Sequence, residues 1–166
     1  MATKKEKTTK INYIKGDATQ PVGDGIKVIV HVCNNIGAWG AGFVLALSKR
    51  WVYPEQQYLE MKHRDLGSID LVQVQDDIIV CNLIGQEGTA KKGVIRKLPP
   101  VRYVAIEKGL NELVAINALR HPEDKFTVHM PMIGSGLAGG NWLIIERIIE
   151  VTLCAAGIPV TVYKLD

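Results

Sequence analysis

Two glycine-rich segments, each following an apolar run and each preceding helix-compatible sequence, carry the chemistry of this chain. In the first, Val28-Ile29-Val30-His31-Val32-Cys33 leads into Asn34-Asn35-Ile36-Gly37-Ala38-Trp39-Gly40-Ala41-Gly42-Phe43. In the second, Val128-His129-Met130-Pro131-Met132-Ile133 leads into Gly134-Ser135-Gly136-Leu137-Ala138-Gly139-Gly140-Asn141. Glycine lets the backbone approach a ligand and turn N–H groups inward, and the N-terminus of a following helix adds partial positive charge. Each segment therefore has the makings of a phosphate cradle. Two of them in one small domain point to an anion gripped from both sides, most simply a diphosphate.

The side chains beside the first loop are a histidine, a cysteine and two amides. Strand alternation places His31 and Cys33 on one face. Cys33 reads either as a small buried thiol or as a nucleophile with His31 as its one nearby imidazole. The three cysteines are far apart and lack C-x-x-C spacing, which argues against a disulfide framework and against zinc; no metal site and no cofactor are expected. His63, His121 and His129 have no partner suggested by spacing, and Trp142 reads as a core anchor. Gly134 to Gly139 fits the dinucleotide fingerprint G-x-G-x-x-G, with Asp166 at the end of the next strand, but a dinucleotide fold needs further strand–helix units after this one. The same stretch opens like a P-loop, yet Gly140-Asn141 stands where lysine and serine or threonine must hold phosphate and magnesium. An ATPase is excluded on that ground.

Alternating strands and helices must position these loops. Ile11 to Lys15 and Lys27 to Cys33 read as strands, the second buried and rich in β-branched residues. Phe43, Leu47 and Trp51 fall on one helical face; the helix breaks near Pro54 and resumes from Gln57 to Lys62. Leu71 to Val74 and Ile78 to Ile84 form a strand pair around Asp76-Asp77. Residues 85–99 make a long polar loop of the size that often serves function, and it holds Lys91 and Lys92. A helix through Tyr103, Ile106, Leu110 and Leu113 ends before His121-Pro122. Phe126 to Met132 is a strand, Asn141 to Ala156 a helix capped by Gly157, and Ile158 to Leu165 the closing strand. The reading is one α/β domain over residues 11–166, with both loops at the C-terminal ends of their strands, where open α/β sheets bind ligands.

Charge adds little. The chain carries a formal net charge of +3. Lys4, Lys5, Lys7 and Lys10 against Glu6 account for all of it, so residues 1–10 read as a basic, flexible tail and the rest is neutral. Specific nucleic-acid binding is not expected. Hydrophobic residues at 47% and charged at 22% are ordinary globular values. Without a spanning apolar run or a signal-peptide core, membrane association is not expected and a cytoplasmic location is.

As a set, Gly16-Asp17-Ala18, the run His31 to Phe43, Met130 to Leu137, and Val160-Thr161-Val162-Tyr163 resemble the ligand motifs of the macrodomain family, in the family's order and from about residue 11 onward. The resemblance implies a three-layer α/β/α sandwich with a mixed, largely parallel sheet, and a cleft for ADP-ribose or ADP-ribose 1″-phosphate, free or attached to a protein. By the same resemblance Asp17 would accept the adenine amino group and the Ala18 N–H would support the base. Asn34 and Asn35 would reach the distal ribose. Gly40, Ala41, Gly42 and Phe43 would wrap the diphosphate and that ribose from one side, Ser135, Gly136 and Leu137 from the other, and Tyr163 would line the adenine end; Gly134 is expected at the ligand too, and Trp39 either beside the ligand or packing the loop on itself.

The W-G-A-G form of the first loop is similar to the branch that holds ADP-ribose 1″-phosphate phosphatases and glycohydrolases of terminal, glutamate-linked ADP-ribose. The latter use a lysine after the fourth strand and an aspartate in the second loop. Here Gln86 and Ala138 occupy those stretches, and neither can form a Schiff base or transfer a proton. Two expectations stay open: a hydrolase of a distal-ribose substituent, with Asn35 positioning substrate or water and His31 as the catalytic imidazole, and a module that binds ADP-ribose without turning it over. An ADP-ribosyl-protein hydrolase lacking the lysine–aspartate pair is a variant of the first.

Overall fold

The computed structural model describes residues 7–90 and 98–165. Lys91, Lys92 and Asp166 lie outside the described residues. Six strands form one sheet: β1 Ile11–Lys15, β2 Ile26–Asn34, β3 Ile69–Gln75, β4 Ile78–Gln86, β5 Phe126–Met130 and β6 Val160–Lys164, in the order β1-β6-β5-β2-β4-β3. Every pairing is parallel except the β3–β4 hairpin at one edge. The C-terminal ends of β1, β2, β4, β5 and β6 therefore gather along one rim, and the loops leaving them share it.

β2 and β4 are central because both their faces are apolar. Val28 and Val30 pack with Leu110, Leu113, Val128 and Ile149 on one side, and Ile29 packs with Leu47, Ile78 and Val80 on the other. The first side is covered by α3, Tyr103–Ala118, and α4, Trp142–Ile149. The second is covered by α1, Phe43–Arg50, and α2, Tyr53–Glu60. This is the three-layer α/β/α sandwich that the sequence resemblance implies. The loop from β2 goes to one face and the loop from β5 to the other, so they part between two adjacent strands, which is the crevice geometry of open parallel sheets.

Several elements differ from the sequence reading. Pro54 starts α2 rather than breaking a helix, because the first turn requires no N–H from it, and α2 therefore begins four residues earlier than Gln57. β5 stops at Met130, before Pro131, which cannot donate to a sheet ladder. The last helix is not continuous to Ala156. After Ile149 it widens into a π segment, Glu150–Cys154, where Ala155 N–H bonds the Glu150 carbonyl at 2.9 Å and Thr152 Oγ1 donates to the Ile148 carbonyl at 2.7 Å. Trp142 is only half-buried, donating Nε1–H to the Tyr13 hydroxyl at 3.0 Å. Thr9, from the basic segment, is anchored: its N–H bonds the Cys154 carbonyl and its hydroxyl the Ile158 carbonyl. No helix among the described residues is long and apolar enough to cross a membrane.

Candidate functional site

The two glycine loops line one cleft. A cavity of about 280 Å³ lies between residues 38–41 of the first loop, the 86–90 segment and Leu137. Beside it, a cavity of about 190 Å³ runs between Ala41-Gly42-Phe43 and Pro131 to Ala138, with His31 in its wall. Val32, Ala41, Val44, Gln86 and Leu137 line both, so the two are compartments of a single groove. Thr89 and Ala90 bring the long polar loop to the first compartment.

Both loops carry backbone donors without a protein partner. Among the described residues, the N–H groups of Gly40, Ala41 and Gly42 have no acceptor, nor do those of Gly136 and Leu137. α1 starts at Phe43 with Gly42 as its N-cap and no side-chain cap; Leu45 N–H returns to the Gly42 carbonyl at 3.1 Å, and the N–H groups of Phe43 and Val44 are left open. Two glycines are informative here because the fold does not demand them. At Gly40 and at Gly136 an added Cβ would meet nothing within 4 Å, and neither has the positive φ that requires glycine. Gly140 is the opposite case: a Cβ there would stand 2.4 Å from the Gly134 carbonyl oxygen.

The first loop is held in shape by Asn34 and Tyr58. Asn34 Oδ1 accepts the N–H groups of Ile36 and Ala38 and the hydroxyl of Tyr58, and its Nδ2 donates to the Ala38 carbonyl at 2.7 Å. Tyr58 Oη also receives the Gly37 N–H at 3.1 Å. Asn34 lines the first compartment, and its amide oxygen, committed to Ile36, Ala38 and Tyr58, braces the loop. Its spacing is that of an Asx turn before glycine, a signal legible in Asn34-Asn35-Ile36-Gly37. Trp39 stands edge-on to His31 at 5.4 Å, tilts against Tyr58 at 5.3 Å and donates Nε1–H to Ser48 at 2.8 Å. It thus both walls the first compartment and packs the lid.

Asn35 sits where the first loop meets the 86–90 segment. Its Oδ1 accepts the Gly88 N–H at 2.9 Å, while its Nδ2 has no acceptor among the described residues. Asn35 is not among the residues that line either compartment. Gln86, in the middle of the groove, spends its Nε2 on the Gly88 carbonyl at 3.0 Å. Ser135 turns its hydroxyl, at 2.7 Å, and its N–H, at 3.4 Å, to the Met132 carbonyl and closes the second loop; it lines neither compartment.

The ionisable groups of the groove are neutral. His31 is buried, and burial pulls its pKa down to about 4. Cys33 is buried with Sγ 3.7 Å from His31 Nε2, and burial pushes its thiol well up, which removes the thiolate a nucleophile needs. All three cysteines are free and buried. Among the described residues no three His, Cys, Asp or Glu side chains could hold a metal together. His63 and His121 are exposed, far from any such role.

Asp17, Ala18 and Tyr163 lie along the same rim but outside both compartments. Asp17 is exposed and its Oδ1 accepts the Thr19 N–H and hydroxyl, each at 2.8 Å. Tyr163 is buried at 3% exposure, against Gly16 and with its hydroxyl on the Val22 N–H.

No family model matches the chain. A macrodomain protein of Streptomyces coelicolor is 42% identical, with 93% of this chain and 99% of that one covered and a TM-score of 0.77. Among curated relatives, the mouse chromodomain-helicase-DNA-binding protein 1-like is 31% identical over 94% of this chain, which spans only 18% of that protein's length. The ADP-ribose 1″-phosphate phosphatase of Saccharomyces cerevisiae is 25% identical over 95% of this chain and 99% of its own. With a mostly parallel six-stranded sheet between two helical layers, two glycine loops on one rim and a full-length relative at 42% identity, this chain belongs to the macrodomain family.

Proposed function

We propose that the groove binds ADP-ribose or ADP-ribose 1″-phosphate, with the diphosphate between the two rows of open N–H groups and the distal ribose in the compartment walled by Trp39 and Thr89. One observation carries this reading: Gly40 and Gly136, on opposite walls, are glycines that neither backbone conformation nor neighbouring atoms require. Glycine there serves close approach by something that is not protein. A ligand with phosphates and hydroxyls uses main-chain donors well, because N–H groups near a helix N-terminus carry partial positive charge without a counter-ion.

Hydrolysis at the distal ribose is the accompanying reading. It is favoured by the likeness to a phosphatase of that substrate over nearly the whole chain, and by the Asn35 amide, whose Nδ2 has no acceptor among the described residues where the first loop meets the 86–90 segment. In this reading Asn35 orients the substrate or an attacking water. His31 does not exchange protons near neutrality, since its imidazole is buried and neutral. Gln86 and Ala138 give the groove neither the amine nor the acid of lysine-dependent deglycosylation. A binding module is the second reading, favoured by the lack of any side chain in the described groove wall that titrates near pH 7.

Calorimetric titration with ADP-ribose against ADP, AMP and NAD, followed by phosphate release from ADP-ribose 1″-phosphate, tests both. Binding of ADP-ribose well above the controls is expected; failure to bind any of the four sinks the proposal. Where turnover is seen, Asn35→Ala is expected to remove it while keeping most of the affinity. An equal loss of both speaks for binding alone.

A further inference from the structure

Tyr163 grips both ends of the turn that carries Asp17. Its ring lies under Gly16, where Cδ1 would be 3.5 Å from an added Cβ, and its hydroxyl accepts the Val22 N–H at 2.9 Å. Between these points, Asp17 is fixed by Thr19 and by the Gln20 N–H on its carbonyl at 2.9 Å. The hydroxyl is itself aimed from below. His129 Nδ1 lies 2.7 Å from it, and Thr127 Oγ1 lies 2.7 Å from His129 Nε2. Thr127, His129 and Tyr163 thus form one hydrogen-bonded chain that ends on the Val22 N–H, with the direction of its two imidazole bonds following the tautomer. All of this lies under the turn: His129 and Tyr163 are each 3% exposed.

We propose that Tyr163, oriented by His129 and Thr127, is the positioning residue that sets nucleobase selectivity by holding the Asp17 carboxylate in place. This rests on the reading in which Asp17 accepts the exocyclic amine of adenine. A carboxylate attracts that amine and repels a keto oxygen, but only if it stays put; a turn released at Val22 lets it swing away and the distinction fades.

The test compares ADP-ribose with its hypoxanthine counterpart, inosine diphosphate ribose, on the intact protein, Tyr163→Phe and Thr127→Val. The unaltered protein is expected to favour adenine by about tenfold, the worth of one hydrogen bond to a charged group. In Tyr163→Phe the ratio is expected to fall below about threefold with the affinity for the hypoxanthine ligand unchanged, and in Thr127→Val to fall part of the way. Thr127→Val keeps the core volume and covers the case in which the tyrosine variant fails to fold. A ratio that survives in a folded variant, or an unaltered protein that binds both ligands alike, overturns the proposal and leaves ADP-ribose binding standing. An unaltered protein that binds neither ligand overturns the functional reading, and this proposal with it.

Discussion

Asn82 Oδ1 accepts the Nε2–H of His31 at 2.5 Å, while Asn82 Nδ2 donates to the Pro54 carbonyl at 3.0 Å. The second bond orients the amide, and the amide then fixes the imidazole tautomer with its proton on Nε2. His31 is thereby a neutral, oriented packing partner for Trp39 and Phe43 at the base of the groove.

A pH dependence follows, with a definite sign. His31 has a folded pKa of about 4 through burial, below the unfolded value of 6.5, and burial pulls His129 to about 4 as well. Between these values the unfolded chain takes up protons that the native state refuses. Stability is therefore full above pH 6.5 and lost as pH falls toward 4, by about 3 kcal/mol for His31 alone. Urea midpoints at pH 7.5 and 5 are expected to differ accordingly, the lower pH being less stable. Any turnover is expected to lack an inflection near pH 6.5 that moves with His31; an inflection abolished by His31→Gln would restore it as a proton carrier.

Tyr58→Phe keeps the buried ring but removes the hydroxyl that joins Gly37 to Asn34. The expected cost is about 1–3 kcal/mol of stability, because a loop N–H and a side-chain oxygen lose a buried partner. ADP-ribose affinity is expected to drop with it, since the first cradle loses its brace. Chemical denaturation and calorimetry on the same variant check both, and unchanged affinity would mean that the ligand itself shapes the loop.

Alanine at two glycines separates fold from ligand. Gly40→Ala fills open space and is expected to leave the melting temperature within about 2 °C while weakening ADP-ribose binding tenfold or more. Gly140→Ala drives a methyl into the Gly134 carbonyl and is expected to cost about 2 kcal/mol or more in thermal or chemical unfolding. Undiminished binding by Gly40→Ala would remove the observation on which the function rests.

The three thiols are expected to resist an aromatic disulfide reagent at neutral pH and to react fully only after unfolding, because all are buried and each thiol is pushed up by burial. Fast reaction of one thiol in the native protein, lost in Cys33→Ala, would return the nucleophile reading to consideration.

The legible parts of this chain were those with local causes. Apolar β-branched runs announce β2 and β4, glycine announces both loops, and Asp76-Asp77 announces the hairpin. Local rules also misled where tertiary context decides: Pro54 looks like a breaker until α2 is seen to begin beside it, and Thr152 gives no hint that its turn widens. The roles of Asn34 and Tyr163 depended on partners far along the chain. Tyr58 meets Asn34 from 24 residues away and Val22 meets Tyr163 from 141, and spacing alone cannot pair them. As a result, the supporting roles of these two side chains, Asn34 within the first loop and Tyr163 under the Asp17 turn, come into view only in the folded chain.

The donors that line the groove belong to the main chain, which has an evolutionary consequence. Substitution cannot delete an N–H group unless it introduces proline, so drift in side chains around these loops leaves the proposed anion grip intact. What substitution can readily change is the wall of the first compartment, such as Trp39, Gln86 and Thr89. A scaffold of this kind keeps its ligand class while its chemistry diversifies, and new activities arise by exchanging wall residues without rebuilding the cradle.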